Sequence, residues 1–354
     1  MRGVDHAPRP RPLVIAHRGA SGHRPEHSAA AVRLGFAQGA DAVEPDLVAS
    51  SDGVLVIRHE NELSGTTDVA DRPEFADRRA TRVVDGVERT GWFTEDMTWA
   101  EIRTLRCRER IPAARPDSAT HDDRETVLSL PDLLRIIDQE SARHGRPLGM
   151  VAEIKHATHF AALGMPLDEL LARDLRAHGW ADDASRLTVE SFERSVLLGV
   201  RAHGIAARLV YLLEGRGAAV DELARHGGSA VTFDEQLTDA GLAALAAEVD
   251  GISVGLERIC PAVGFGPGSG SEAAPVSDLV RRAHDVGLSV FTWTLRPENA
   301  FLPRPLRGSG PKSAHGDYRA HWGRLLDAGV DGVFADHPDL AVRLVEERAA
   351  AVGR

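Results

Sequence analysis

Short apolar segments alternate along the chain with stretches of helical periodicity, and this alternation is the feature that most constrains the fold. The strand candidates are 13–18, 42–48, 54–58, 149–155, 187–190, 207–212, 229–233, 251–254, 288–294 and 331–335. The helical stretches are 28–38, a helix that begins after Ser129, and 167–178, 193–203, 217–226, 238–248, 276–286, 319–328 and 338–350. Repeated strand–helix units predict a parallel α/β sheet, and their number favours a closed (β/α)8 barrel, the TIM barrel.

These candidates outnumber the strands of such a barrel. The runs 54–58 and 229–233 are the candidates for a peripheral position, and the sequence leaves open which of them lies outside.

Between 60 and 126 the alternation lapses in a segment rich in Arg, Asp, Pro and Thr, which we interpret as an inserted cap region over the mouth of the barrel. A chain of 354 residues fits one barrel with such an insertion. We therefore expect residues 1–354 to form a single domain.

Composition excludes several kinds of partner. The net charge of −11 argues against nucleic-acid binding, which needs a cationic surface. No apolar stretch approaches the roughly 18 residues that span a bilayer. Residues 1–12 lack the apolar core of a secretory signal, so we expect a cytoplasmic protein, or a secreted or periplasmic one if a leader has been removed. The oligomeric state stays open.

The two cysteines are expected to be free thiols. Cys107 and Cys260 lie far apart and lack the spacing of metal ligands. This spacing disfavours both a disulfide framework and a structural zinc site.

Three carboxylates interrupt apolar strand segments. Glu44 and Asp46 lie two positions apart in 42–48, and Glu153 lies in 149–155. A carboxylate in such a run is costly unless it is paired or bound to a metal. Oxygen ligands with open positions suit one divalent ion, Mg²⁺ or Ca²⁺. The alternative is a structural ion pair with Arg18 or Lys155, two cations that would otherwise attract an anionic phosphodiester.

Two histidines also end apolar runs. His17 closes the first run and His59 follows 54–58. Two imidazoles beside a bound phosphate can serve as general acid and general base near neutral pH. Trp293, at the end of a late strand, could stack on an alkyl or glycerol face. The remaining candidates at the rim, on position alone, are Ser191, Phe192 and Asp336.

In order along the chain, these residues resemble the glycerophosphodiester phosphodiesterase family. The resemblance rests on His17-Arg18-Gly19, Pro25-Glu26, Gly39-Ala40-Asp41, Glu44, Asp46, Asp52-Gly53, His59, Glu153-Ile154-Lys155, Ser191-Phe192, Thr292-Trp293-Thr294 and Asp336. It covers nearly the whole chain. The long insertion after His59 and the segment 153–158 look most like those of the larger bacterial periplasmic and plant members.

The resemblance implies a (β/α)8 barrel with a cap and the hydrolysis of glycerophosphodiesters, small-molecule substrates, to glycerol 3-phosphate and an alcohol. It further implies a role for each matching residue. The implied metal ligands are Glu44, Asp46 and Glu153; the acid and base are His17 and His59; the phosphate contacts are Arg18 and Lys155; and the other substrate contacts are Glu26, Ser191, Phe192 and Trp293.

The chain departs from the family pattern at two places, where Pro25-Glu26-His27-Ser28 replaces the usual Pro-Glu-Asn-Thr and His59-Glu60 replaces His-Asp. Glu190 adds a carboxylate near the rim, interpreted as a contact for a cationic head group such as choline. Two alternatives stay open. One is a lysophospholipase D or sphingomyelinase D-like activity on a lipid phosphodiester, and the other is a non-catalytic barrel that binds anions or proteins.

Overall fold

A closed barrel of parallel strands forms the centre of the molecule. The computed structural model describes residues 11–261 and 275–352. The strands in this part of the chain are β1 (Leu13–His17), β2 (Ala42–Glu44), β3 (Asp46–Ala49), β4 (Leu55–Ile57), β5 (Ala80–Val84), β6 (Val87–Gly91), β7 (Gly149–Ile154), β8 (Leu187–Ser191), β9 (Arg208–Leu213), β10 (Gly251–Gly255), β11 (Ser289–Leu295) and β12 (Gly332–Ala335). β1 pairs with both β2 and β12, and β7 to β12 follow one another around the ring. Since β2 and β3 together form one barrel position beside β7, the predicted TIM barrel is confirmed.

The second barrel position is interrupted, which corrects the prediction of one strand over 42–48. Pro45 separates β2 from β3 because proline has no N–H for the ladder. Glu44 is therefore in register with His17 on β1, whereas Asp46 is in register with Glu153 on β7. The interruption gives these two carboxylates different neighbours.

Both peripheral candidates lie outside the barrel. β4, within the predicted run 54–58, lies at the end of the strand order and pairs antiparallel with β3. The prediction of a strand over 229–233 is wrong. Thr232 there caps a short helix, and the Glu235 carboxylate accepts a hydrogen bond from the Thr232 backbone N–H. This capping box overrides the apolar content of the run.

Helices cover the outside of the barrel. The described α-helices are α1 (Ala29–Ala37), α2 (Trp99–Ile102), α3 (Pro116–Ala119), α4 (Leu130–His144), α5 (Ala157–Ala162), α6 (Leu167–Ala177), α7 (Arg194–Ala202), α8 (Val220–His226), α9 (Phe233–Gln236), α10 (Asp239–Ala246), α11 (Leu256–Ile259), α12 (Leu279–Asp285), α13 (Tyr318–Asp327) and α14 (Pro338–Val352). Short 3-10 helices are Val69–Asp71, Pro73–Arg78, Thr94–Asp96, Gly227–Ser229 and Arg304–Leu306. Ser28 and Ser129 cap α1 and α4, since each accepts a backbone N–H in the first turn of its helix.

Two apolar clusters hold these layers together. The larger one joins strand residues to the helices, and the smaller one contains only residues of the barrel strands. Its buried members are Ile15, Ala42, Val151, Val210, Phe291 and Phe334. Trp293 packs against this smaller cluster, which connects the barrel interior to the ends of the strands.

The stretch 60–126 contains three of the 3-10 helices, the β5–β6 hairpin, α2 and α3. Asp85, in the turn of the hairpin, contacts His156 after β7. Cys107, in the same stretch, is buried, as is Cys260, and both are free thiols as predicted. Among the described helices, none is long and apolar enough to cross a membrane.

Candidate active site

A cavity of about 490 Å³ opens where the barrel strands end. This is the end at which α/β barrels place their chemistry. Most of the residues singled out in the sequence line it, namely His17, Arg18, Glu44, His59, Glu153, Lys155, Glu190, Ser191, Phe192 and Trp293. Glu26, Asp46 and Asp336 do not line the cavity and are buried.

Three buried carboxylates form an acidic cluster at the cavity, defined by Glu44, Glu153 and Glu190. One oxygen of each lies within 4.8 Å of one oxygen of the others. Glu44 Oε1 and Glu190 Oε2 have no hydrogen-bond partner among the described residues. Buried carboxylate oxygens are rarely left without a partner. The cluster therefore fits a divalent cation, which would satisfy both oxygens at once.

The electrostatics of the acidic cluster agree with this reading. Burial and neighbouring carboxylates raise the pKa of Glu44 and of Glu190 well above the usual value. Burial also raises the pKa of Glu153 to about 7, although Lys155 opposes the shift. Because negative charges repel one another strongly in a water-poor site, each of these carboxyl groups binds a proton more readily. A divalent ion would relieve the same repulsion.

Asp46 lies beside the acidic cluster and is paired with cations. Its oxygens lie 3.2 Å from Lys155 Nζ, 3.2 Å from Arg18 Nε and 2.9 Å from His27 Nε2. Burial would raise the pKa of Asp46, but the charges of Lys155 and Arg18 hold it well below its usual value. The carboxylate is therefore ionised, and its negative charge contributes to the raised pKa of Glu153.

Arg18 and Lys155 place positive charge at the cavity. Lys155 Nζ lies 2.6 Å from Glu153 Oε1. Arg18 adopts a positive φ of 60° and donates its backbone N–H to Glu44 Oε2 at 2.9 Å. Glu26 contacts the Arg18 guanidinium at 3.2 Å and also Arg110 at 2.7 Å. Glu26 thus acts on the cavity through the arginine that it holds.

His17 is held by a buried carboxylate. Its Nδ1 lies 2.5 Å from Asp336 Oδ1, which leaves Nε2 free for a ligand in the cavity. Burial, aided by the charge of Arg18, lowers the pKa of His17 to about 4. Asp336 stays ionised because Arg115, Arg296 and His17 hold its pKa well below the usual value against the effect of burial.

His59, which also lines the cavity, is held by a carboxylate in a similar way. Its Nδ1 lies 2.6 Å from Glu60 Oε1, and Arg110 in turn donates to both Glu60 oxygens. Burial and the charges of Arg18 and Lys155 lower the pKa of His59 to about 3. Each imidazole is therefore neutral near pH 7 and is oriented by a carboxylate.

Aromatic side chains line the rim. Phe192 meets Trp293 edge to face with ring centroids 5.8 Å apart, and Lys155 Nζ lies 5.6 Å from the Phe192 ring centre. Trp293 Nε1 has no hydrogen-bond partner in the described part of the chain. Ser191 Oγ donates to the Ile154 carbonyl and accepts from the Glu193 N–H, so its hydroxyl joins the ends of two neighbouring strands.

Sequence reasoning missed several arginines of the site. Arg110 and Arg115 lie in the stretch 60–126, where many arginines occur and no strand end marks a functional position. Arg115 donates to Glu298 at 2.8 Å and also contacts Asp336. Arg296 donates to Asp336 at 2.7 Å. Arg296 directly follows β11, and this position was the signal that could have found it.

Carboxylates, imidazoles and cationic side chains thus converge at the carboxyl ends of closed parallel strands. This arrangement places the chain among the α/β-barrel enzymes.

Comparison with known proteins identifies the family. The glycerophosphoryl diester phosphodiesterase family matches residues 17–340. A glycerophosphodiester phosphodiesterase of Arabidopsis thaliana is 29% identical over 338 residues, covering 92% of this chain and 84% of that protein. The chain therefore belongs to the glycerophosphoryl diester phosphodiesterase family. The resemblance seen in the sequence and the expected enzyme class are confirmed.

Solved structures share the fold. A Silicibacter pomeroyi protein superposes with a TM-score of 0.64 at 22% identity, covering 96% of this chain and 94% of that one. An Oleispira antarctica phosphodiesterase, solved with the product sn-glycerol-3-phosphate, has a TM-score of 0.57 at 20% identity, covering 95% and 97%.

Proposed function

We propose that this enzyme hydrolyses glycerophosphodiesters to glycerol 3-phosphate and an alcohol with the help of one divalent ion. The observation that carries the proposal is the acidic cluster, whose buried unpartnered oxygens share one cavity with Arg18, Lys155 and two carboxylate-held histidines. The product bound by the Oleispira antarctica relative supports glycerol 3-phosphate as the product here.

The proposed metal ligands are Glu44, Asp46, Glu153 and Glu190. The first three are implied by the family resemblance, and Glu190 is added because it belongs to the acidic cluster. Asp46 is retained because it adjoins Glu153, with which it is in register. An all-oxygen set of this size suits Mg²⁺ or Ca²⁺. When bound, such an ion supplies Lewis-acid polarisation of a phosphoryl oxygen.

Arg18 and Lys155 are the proposed phosphate contacts. Together with a divalent ion, their charges offset those of the four carboxylates, so the anionic ester is not repelled. Glu26 holds Arg18 in place and is proposed as a positioning residue. Positive groups fixed around the phosphoryl oxygens stabilise the charge that develops in the transition state.

His17 and His59 are the proposed acid–base pair. Both present Nε2 because Nδ1 of each is held by a carboxylate, Asp336 or Glu60. Cationic neighbours help to lower both pKa values, so a bound phosphodiester anion favours protonation of one imidazole. That imidazole donates its proton to the leaving alcohol, and the other takes a proton from the attacking oxygen.

The glycerol group is proposed to lie against Trp293. The unpartnered indole N–H of Trp293 can donate to a glycerol hydroxyl, and the indole ring can cover the carbon chain of the glycerol group. Phe192 and Ser191 are proposed to shape this rim of the cavity.

We propose that residues 60–126 act as a cap within a single domain, 1–354. Asp85 from this segment lines the cavity, and Arg110 and Arg115 hold the carboxylates that orient His59 and His17. The cap thus completes the site rather than only covering it.

A substrate panel tests the proposal. Glycerophosphocholine, glycerophosphoglycerol and lysophosphatidylcholine would be incubated with the chain and excess Ca²⁺ or Mg²⁺, and the products identified. We expect glycerol 3-phosphate from the first two and little reaction with the lysolipid. Turnover of lysophosphatidylcholine alone would contradict the proposal and support a lysophospholipase D activity instead.

A further inference from the structure

A second group of metal-ligating side chains lies outside the cavity of the active site. It consists of His23, in the loop after β1, with His337 and Asp339 at the start of α14. One donor atom of each lies within 4.8 Å of one donor atom of the others. His23 Nε2 and Asp339 Oδ1 are 3.1 Å apart, and the two imidazole rings meet edge to face with centroids 4.7 Å apart. None of these residues belongs to the acidic cluster.

The surroundings of His337 leave one of its ring nitrogens available to bind a metal ion. Its Nε2 lies 3.2 Å from Glu298 Oε1, while its buried Nδ1 has no hydrogen-bond partner among the described residues. Histidine ligands commonly donate their second ring N–H to a carboxylate in this way. Gly22 lies so close to the imidazole ring that a Cβ atom at this position would be 2.2 Å from Nε2 of His337. This close packing holds the ring, and with it the unpartnered Nδ1, in place.

We propose that His23, His337 and Asp339 form a second metal site, which takes a transition-metal ion of the zinc class. Two imidazoles and one carboxylate suit Zn²⁺ better than Mg²⁺ or Ca²⁺. Tetrahedral bonds of about 2.0–2.1 Å separate neighbouring ligand atoms by about 3.3 Å, close to the 3.1 Å between His23 and Asp339.

An ion can reach this site from solvent. His23 and Asp339 side chains are 32% and 31% exposed, whereas the His337 side chain is only 6% exposed. His23 and His337 line a separate cavity of about 530 Å³. Water in this cavity can complete the coordination of the ion.

The second site lies beside the residues that hold His17. His337 follows Asp336 in sequence, and Arg115 contacts both Asp336 and Glu298. A bound ion would therefore be linked to His17, the imidazole that we assign to catalysis, through His337 and the neighbouring Asp336. Its binding can nevertheless be measured without any assay of activity.

Zinc titration of the full chain in excess Ca²⁺ tests the proposal. The wild type would be compared by calorimetry with His23→Ala and Asp339→Asn, and with His121→Ala, which removes another histidine of the same cavity. Unchanged circular dichroism and unchanged Ca²⁺ binding would show that each variant is folded.

We expect His23→Ala to lose one equivalent of Zn²⁺, Asp339→Asn to bind that equivalent at least about tenfold more weakly, and His121→Ala to match the wild type. Equal zinc stoichiometry and affinity in the wild type, His23→Ala and Asp339→Asn would overturn the proposal. Loss of the zinc equivalent in His121→Ala alone would also overturn it.

Discussion

Asp336 holds His17 through a 2.5 Å contact with Nδ1 and is itself fully buried. The two residues are 319 positions apart, and the barrel closure between β1 and β12 brings them together. The carboxylate fixes the tautomer and direction of the imidazole, which makes the pair a direct test of the role assigned to His17.

Asp336→Asn should lower kcat by about 100-fold or more, in the range that general acid–base catalysis contributes, with a much smaller effect on KM. Steady-state kinetics on glycerophosphocholine would measure this. Asp168→Asn is the matched control, because Asp168 contacts His203 in a similar pair that does not line the cavity. A kcat for Asp336→Asn within twofold of the Asp168→Asn value would contradict the role of His17.

Arg115→Gln should destabilise the fold strongly. The arginine is 7% exposed and contacts both Glu298 and Asp336, so its removal leaves buried carboxylates without their main cation. We expect a loss of about 3–5 kcal/mol in the free energy of unfolding, measured by denaturant titration. Arg124→Gln, at an exposed arginine of the same segment, should change it by less than about 0.5 kcal/mol. Equal denaturation midpoints for Arg115→Gln and Arg124→Gln would show that Arg115 does not stabilise the fold in this way.

Glu190→Gln should weaken Ca²⁺ binding at least about tenfold, since it removes one charged oxygen ligand. Calorimetric titration of the chelator-treated chain would measure the affinity. Glu257→Gln serves as the control because Glu257 lines the same cavity outside the acidic cluster. If Glu190→Gln binds Ca²⁺ as the wild type does, Glu190 is not a ligand.

Binding of Ca²⁺ should depend on pH through Glu153. Its pKa is raised to about 7 in the ion-free protein, chiefly by burial, and the protonated carboxyl must lose its proton to bind the ion. Affinity therefore falls as pH decreases below 7, by about tenfold between pH 8 and pH 6 for one such group. Titrations in buffers of different ionisation enthalpy would count the released protons. Equal affinity at both pH values without proton release would refute this linkage.

The sequence predicted the barrel and many of the polar residues that line the cavity, for one physical reason. Apolar runs mark buried strands, and polar residues at their ends meet at one face of a parallel barrel. His17, Glu44, Glu153 and Lys155 were found in this way and lie together. Such reasoning needs only local pattern and the topology of the fold.

The remaining features depend on contacts that local pattern does not contain. Arg110 meets Glu26 across 84 positions and Arg115 meets Glu298 across 183, so neither arginine is marked by its neighbours in sequence. Glu190 was recognised as unusual, but its place in the acidic cluster depends on the register of β8 against β7. The interruption at Pro45 likewise changes which strand each carboxylate faces.

We propose that a divalent ion in the acidic cluster and His17 act together on a glycerophosphodiester. The most direct measurement is glycerol 3-phosphate release from glycerophosphocholine by the wild type before and after treatment with a chelator, with His17→Ala in parallel. We predict that the chelator abolishes release, that added Ca²⁺ or Mg²⁺ restores it in the wild type, and that His17→Ala stays at least about 100-fold slower under all conditions. Full activity of the chelator-treated enzyme, or a wild-type rate for His17→Ala, would contradict the claim.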